Sequence, residues 1–250
     1  MNIGIVGAGN MATALARGWG DPVLVSDHGS GRAAALVAEL GGEALSSNAE
    51  LARRADVLVL AHKPAQLRLV AAELDSQARA VISVLGGVTV SDLQEAYPGI
   101  PVARTMPNTP VELREGVTCL AEDPSGTTAD FHEQVHALFA RVGAVVELPE
   151  RLIDVASGLS GVFPAYVALV AEAQVDAGVR RGLTVAQATE LVCSTLVGSS
   201  ALLVHRSGDT LRMRREVASP GGSTARGLDA LERAGLRAGF SAALDAVLAG

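Results

Sequence analysis

Residues 3–12 read Ile-Gly-Ile-Val-Gly-Ala-Gly-Asn-Met-Ala, an apolar strand signal running straight into Gly7-x-Gly9-x-x-Ala12, and strong helix formers follow in residues 11–17. Strand, glycine turn and helix in that order are the context that a dinucleotide-binding fingerprint requires. A tight turn at Gly7 and an approach free of side chain at Gly9 let a pyrophosphate sit on the amides of a helix N-terminus, where the dipole favours an anion. Ala12 takes the third position, where helix packs on strand. With 27 glycines in 250 residues the pattern alone is weak, and its placement gives it weight.

Outward from the fingerprint, the first 148 residues alternate strand and helix signals. Residues 21–26 read as a second strand and 32–40 as a helix closed by Gly41-Gly42. Ser47 to Glu50 is a capping box, residues 56–61 suit a buried parallel strand, and Pro64 starts a helix. Residues 80–85 are another buried strand with Gly86-Gly87 at its carboxyl end, and Ser91 to Gln94 is a second capping box. This alternation predicts an α/β fold, a Rossmann-type doubly wound sheet over residues 1–148 with ligands outside the strand carboxyl ends.

Past residue 148 the strand signals stop. Residues 149–250 divide into helical stretches at 182–184, 207–208, 219–222 and 235, with a capping box from Thr184 to Gln187. The helix expected over residues 164–178 is apolar around most of its girth, so it belongs in a core or an interface. About 100 residues cannot cover that surface alone, which predicts a second copy of the chain.

Composition bounds the rest. A chain that is 49% hydrophobic and 19% charged is a soluble globular protein, and a net charge of -7 argues against a nucleic-acid surface. Arg212, Arg214 and Arg215 form a basic cluster that reads as a solvated helix face or a subunit contact. Cys119 and Cys193 each lie in an apolar run and are expected to be buried small hydrophobes in a reducing compartment. No signal peptide is evident, which predicts a cytoplasmic protein. The longest apolar stretch, residues 162–171, is too short for a membrane span and is followed by Glu172 and Asp176, so no membrane partner is expected.

His132-Glu-Gln-Val-His136 matches the H-E-x-x-H zinc pattern. Phe131, Val135, Leu138, Phe139 and Val142 make one apolar stripe on that helix, leaving both histidines at its flank towards solvent. With no third ligand evident downstream, a surface packing helix and no metal are expected.

Two local motifs point to chemistry. Residues 104–110, Arg-Thr-Met-Pro-Asn-Thr-Pro, close a strand with two prolines and an asparagine whose amide can orient a neighbour. Residues 219–224, Ser-Pro-Gly-Gly-Ser-Thr, precede a helical run over 225–234 and offer free amides beside two hydroxyls. That is an anion site suited to a small carboxylate, because the first loop already takes the phosphates. An ordinary glycine-rich helix start is the plain alternative.

Taken together, Gly7-x-Gly9-x-Met11-Ala12, Lys63-Pro64, Met106-Pro-Asn-Thr-Pro110, Gly158-Leu-Ser-Gly161, Pro164-Ala-Tyr166, Asp176-Ala-Gly178 and Ser219-Pro-Gly-Gly-Ser-Thr224 resemble pyrroline-5-carboxylate reductase in order and approximate spacing. The resemblance covers nearly the whole chain. It implies hydride transfer from a reduced nicotinamide to the ring C=N carbon of 1-pyrroline-5-carboxylate, the last step of proline synthesis. It also implies that residues 149–250 are an all-α substrate-binding and dimerisation domain, in a homodimer often assembled into a pentamer of dimers. By resemblance Thr224 is the catalytic residue, a hydrogen-bond partner and proton relay for the imine nitrogen, while Gly221, Gly222, Ser223 and Thr224 hold the substrate carboxylate. The implied cofactor-binding residues are Gly7, Gly9, Asn10, Met11, Ala12, Ser26, Asp27, Arg32, Asn48, Ala61, His62, Lys63, Pro64, Leu85 and Gly86.

Two readings of the cofactor stay open. Asp27 lies twenty residues past Gly7, where a carboxylate accepts the ribose 2′-hydroxyl of NAD. Ser26, Ser30 and Arg32 would instead cradle a 2′-phosphate if Asp27 turns outward, and the frequent use of NADPH in the family tips the expectation towards NADPH, with NADH the competitor.

The chain also departs from the family pattern. Ser160-Gly-Val-Phe-Pro164 places two bulky residues where Ser-Gly-Ser-Gly-Pro is usual, and Asp209-Thr210 replaces His-Pro. Glu216 stands where an amide is common, and a carboxylate there would repel cofactor phosphate or bind substrate nitrogen. These departures keep open an altered or regulatory paralogue, and a reductase of another small imine or carbonyl.

Overall fold

The computed structural model describes residues 2–74, 77–123 and 129–249, which fall into two compact units, residues 1–164 and 165–250. In the first unit an eight-stranded sheet runs β3-β2-β1-β4-β5-β6-β7-β8. Its strands are β1 (Ile3–Val6), β2 (Val23–Ser26), β3 (Gly42–Leu45), β4 (Val57–Leu60), β5 (Val81–Ser83), β6 (Val102–Pro107), β7 (Gly116–Ala121) and β8 (Gly143–Leu148). β1 pairs in parallel with both β2 and β4, so the chain reverses its direction of travel across the sheet between them. A crevice outside the carboxyl ends of β1 and β4 follows from that reversal.

Helices cover both faces. α1 (Asn10–Trp19), α2 (Arg32–Leu40) and α6 (Ala129–Ala140) bury Leu15, Trp19, Leu36, Val135 and Phe139 on one side. Trp19 and Phe139 meet edge to face with ring centroids 5.9 Å apart, and the indole N–H donates to the Leu138 carbonyl at 3.2 Å. α3 (Asn48–Arg54), α4 (Leu67–Glu73) and α5 (Val90–Ala96) bury Leu51, Val70, Leu93 and Tyr97 on the other.

The structure corrects several local expectations. β3 was not foreseen, because Gly-Glu-Ala-Leu at a sheet edge buries only Leu45 and shows no alternation. The sheet is not wholly parallel: β7 runs antiparallel to β6, since only a short 3-10 turn, Thr109–Leu113, links them and a parallel return needs a long crossover. The capping box sits at Thr89 and Asp92, not at Ser91 and Gln94, because the short Asp92 side chain reaches both the N–H and the hydroxyl of Thr89. Ser47 caps the Glu50 N–H, and the Glu50 carboxylate lies by Ser46 and Arg54 instead of closing the box. Pro64 opens a 3-10 turn, Pro64–Gln66, ahead of α4.

Strands end at Leu148, but the first compact unit continues to residue 164. α7 (Ile153–Ser160) holds it there, burying Ile153 against Cys119 and Ala121 of β7. Arg104, only 2% exposed, reaches Glu150 Oε1 at 3.2 Å and Asp154 Oδ1 at 2.6 Å, and Glu150 also accepts from the Val90 N–H at 2.6 Å. The Asn108 amide donates to the Ser160 carbonyl at 3.1 Å and accepts from the Val117 N–H at 2.7 Å, so it orients both neighbours of the Met-Pro-Asn-Thr-Pro segment.

The second unit is helical: the body of α8 (Phe163–Val179), then α9 (Val185–His205), α10 (Thr210–Val217), α11 (Ser223–Arg233) and α12 (Leu236–Leu248). Thr184 and Gln187 form the expected capping box on α9, and Tyr166 of α8 stacks at a tilt on Phe240 of α12. Apolar side chains stay uncovered, with Leu169 64% and Val197 73% exposed. Cys119 is buried as expected, whereas Cys193 is exposed because α9 presents most of its girth outward. By length and composition alone, Glu150–Val179 and Val185–His205 are long and apolar enough to cross a membrane. The uninterrupted stretch 162–171 understated this, since small and polar residues lie within longer apolar helices.

Candidate active site

The β1–β4 crevice assembles the candidate region of the first unit. Gly7 has φ +95°, a left-handed conformation, and an added Cβ would stand 2.9 Å from the Ala61 carbonyl oxygen, so only glycine lets β1 turn against β4. Gly9 caps α1 with φ -75°; a Cβ there would meet nothing nearer than Ala61 O at 3.9 Å. No side chain caps α1, which leaves its first amides directed at that open space. An uncapped helix start behind two side-chain-free positions is the cradle a dinucleotide pyrophosphate needs. Ala12 is buried in the helix–sheet contact, as its place in the fingerprint requires.

A cavity of about 390 Å³ brings together Gly7, Gly9, Ser26, Asp27, Arg32, Asn48, Ala61, His62 and Lys63 of the expected set. Asn10, Met11, Pro64, Leu85 and Gly86 do not line it. Leu85 is buried, its N–H accepted by the Ser83 hydroxyl at 3.2 Å, and Gly86 follows it at the end of β5. His62 Nδ1 lies 2.9 Å from the Lys63 carbonyl, an arrangement that makes Nδ1 the donor and Nε2 a buried acceptor with no partner. Burial holds this imidazole below its ordinary pKa.

A second cavity of about 300 Å³ adjoins the first through Ser26, Asp27, His28 and Asn48. One wall is Glu73, at the end of α4. Its carboxylate accepts from Asn48 Nδ2 at 2.6 Å, and Asn48 Oδ1 in turn accepts from the Ser26 hydroxyl. Ser30, expected beside a 2′-phosphate, lines the first cavity, whereas Glu73, His28 and Gln66 were missed in the sequence. Glu73 carries no local signal, for it reaches Asn48 only through the packing of α4 beside α3.

The helical unit holds a candidate region of its own. Gly221 has φ +69°, the Gly222 N–H donates to the Ser219 carbonyl at 3.0 Å, and Gly222 caps α11 with no side-chain contribution. The first amides of α11, beginning at Ser223 and Thr224, are therefore free, and Thr224 is exposed. Arg226 donates to the Gly221 carbonyl at 2.6 Å and braces the turn. The departures from the family pattern resolve here too. Asp209 caps α10 by accepting the Arg212 N–H at 2.9 Å. Glu216 is held by Arg206 and by Arg212 at 3.0 Å; these guanidiniums keep its carboxyl below the usual range and occupy the charge that was expected to meet cofactor or substrate.

Of the two H-E-x-x-H histidines expected towards solvent, His136 is half exposed, whereas the His132 side chain is largely covered. His132 Nε2 lies 3.5 Å and His136 Nε2 3.9 Å from the Glu147 carboxylate on β8. Among the described residues no group of three or more His, Cys, Asp or Glu is disposed to hold a metal.

The chain is similar to known proteins along its length. Residues 150–249 match the family model for pyrroline-5-carboxylate reductase dimerisation, and residues 2–87 match that for NADP oxidoreductase, coenzyme F420-dependent. Pyrroline-5-carboxylate reductase of Synechocystis sp. is 36% identical over 258 residues, covering 100% of this chain and 95% of the relative. The structure of a pyrroline-5-carboxylate reductase from Coxiella burnetii superposes with a TM-score of 0.87 at 31% identity, covering 98% of this chain and 95% of that one. Plasmodium falciparum pyrroline carboxylate reductase, solved with NADP bound, gives 0.84 at 28% identity, covering 99% and 95%.

Proposed function

Because this chain belongs to the pyrroline-5-carboxylate reductase family, we propose that it reduces 1-pyrroline-5-carboxylate to L-proline, the final step of proline biosynthesis. The observation that carries the reading is the uncapped start of α11, with its free amides beside the exposed Thr224, in a chain whose other unit builds a dinucleotide cradle. Bound in that cradle, a reduced nicotinamide dinucleotide supplies the hydride for the carbon of the ring C=N bond.

The chain's own residues bind, orient and manage one proton. The α1 amides and the side-chain-free edge at Gly9 hold the pyrophosphate. The free amides of Ser223 and Thr224 hold the substrate carboxylate, with Gly221 setting the turn and the Gly222 N–H, expected to join them, spent instead on the Ser219 carbonyl; fixing that anion fixes the ring and its reacting carbon. Hydride addition is easiest when the ring nitrogen is protonated, so the site needs a hydrogen-bonding hydroxyl more than a strong base. The Thr224 hydroxyl serves the nitrogen and relays its proton.

The helical unit dimerises, which supplies cover for side chains such as Leu169 and Val197, and we extend this to a pentamer of dimers acting in the cytoplasm. The free thiols of Cys119 and Cys193 suit a reducing compartment. The NADP carried by the Plasmodium relative favours NADPH, whereas the charges around Asp27 favour NADH. A second reading, an altered paralogue, rests on Val162 and the 47% exposed Phe163, where the family has small residues.

Incubation with 1-pyrroline-5-carboxylate and each reduced cofactor, followed at the nicotinamide absorbance, tests the assignment. Oxidation coupled to proline formation is expected. Tight nucleotide binding without oxidation by either cofactor would remove the reductase assignment and leave the paralogue.

A further inference from the structure

We infer that the ribose end of the dinucleotide site in this chain selects a bare 2′-hydroxyl over a 2′-phosphate, through the paired carboxylates of Asp27 and Glu73, so that NADH is the preferred reductant. The inference rests on the dinucleotide reading above and concerns only which dinucleotide is taken. Asp27 follows the carboxyl end of β2 and lines both adjoining cavities. The Ser30 hydroxyl donates to its Oδ2, leaving Oδ1 to accept from a ligand. Glu73 faces the same cavity from α4, tied to Asn48 and 4.0 Å from His28 Nε2.

Neutral donors, the Ser30 hydroxyl and the Asn48 amide, hold these two carboxylates in the hydrogen bonds that they accept. Elsewhere in the same unit Glu39 and Glu112 are closed by Arg17, and Glu43 by Arg54. Among the described residues neither Asp27 nor Glu73 pairs with a lysine or arginine, and neither cation type lines the cavity that they share. Arg32 and Lys63 line the adjoining cavity, which Asp27 also lines and Glu73 does not, together with Gly7 and Gly9, where the pyrophosphate brings its own negative charge.

The uncapped start of α2 pulls the other way, but a helix N-terminus is worth about half a unit charge against two full carboxylates. A 2′-phosphate would put a dianion beside that pair in a partly enclosed space, whereas a 2′-hydroxyl donates to the free oxygen of Asp27. Glu73 is thus a specificity residue outside the fingerprint, acting with Asp27 and through the fixed amide of Asn48.

The test is binding, with no turnover required: titration of the full-length protein with NADH and with NADPH, followed by calorimetry. NADH is expected to bind at least about tenfold more tightly. Glu73→Gln retains an acceptor for Asn48 and removes only charge, so it should narrow the NADH-to-NADPH affinity ratio several-fold; Asp27→Ser should narrow it further, and the double variant should abolish or invert it. A merely structural role for Glu73 would move both affinities together and leave the ratio alone. Equal or tighter NADPH binding by the wild type, or a ratio unmoved by Glu73→Gln, overturns the inference. Failure to bind either dinucleotide is a different result, and removes the dinucleotide reading itself.

Discussion

Replacing Gly9 by alanine should separate the fold from its function. Gly9 has φ -75°, which any residue adopts, and an added methyl would meet nothing nearer than Ala61 O at 3.9 Å. The folded chain has room for it. The expected cost is that of exchanging glycine for alanine at a helix N-cap, below about 1 kcal/mol. Binding is another matter, because the methyl occupies the space through which phosphate oxygens must come within about 3 Å of the α1 amides. Losing two such charge-assisted bonds costs roughly 3 kcal/mol, about a hundredfold in affinity. Gly7→Ala should behave in the opposite way: at φ +95°, with Cβ 2.9 Å from the Ala61 carbonyl, strain of about 1–3 kcal/mol falls on the fold itself. Urea denaturation gives the first quantity and dinucleotide titration the second. Wild-type affinity in Gly9→Ala would show that no ligand approaches that edge, and a stability loss matching that of Gly7→Ala would show that the space is not free.

Four further outcomes follow from the geometry. Gly18→Ala should destabilise by about 2–4 kcal/mol despite the roughly 1 kcal/mol gained in helix propensity, because the new Cβ would press into the Val111 carbonyl oxygen and lie 2.9 Å from Val142 Cγ1; a raised melting temperature would refute the close approach of α1 to the Thr109–Leu113 turn. Thr224→Ala should lower kcat by about 10²- to 10³-fold with little change in dinucleotide affinity, and an unaltered rate removes Thr224 from the chemistry. Arg104→Met should cost about 1–3 kcal/mol in urea, modest for a buried guanidinium because Glu150 and Asp154 return to water; no change would mean that the pair contributes nothing net. The helical unit should melt at a temperature that rises with protein concentration, and a concentration-independent transition would argue against a partner covering α8 and α9.

The local rules of the first unit were legible because short-range chemistry decides them. Gly7, Gly9 and Ala12 announce strand, turn and helix within ten residues, and the structure puts each where the fingerprint requires. β3 was invisible, since a four-residue edge strand burying only Leu45 has neither alternation nor an apolar run. The antiparallel step from β6 to β7 was invisible as well: Asn108 and Pro110 mark a turn, but the direction of the return follows from the length of the link. Glu73 marks the same limit at the site, because its place beside Asn48 depends on α3 and α4 packing side by side.

The helical unit shows why burial is harder to read than secondary structure. The lack of a polar face on residues 164–178 implies that this helix must be covered, yet cannot say by what. In the single chain α8 has no buried residue and Leu169 is 64% exposed. Covering one such leucine is worth about 1.5–3 kcal/mol, so several left in water would consume most of the net stability of an ordinary domain. The sequence of α9 repeats the case, and the exposure of Cys193 follows from it: a cysteine in an apolar run was expected inside, and in one chain it is outside. The apolar pattern that is long enough for a membrane span in α8 and α9 equally suits a surface covered by a second copy, and the match of residues 150–249 to a dimerisation family supports the second copy. A buried helix, a spanning helix and a dimer helix share one composition, and only the packing around them tells them apart.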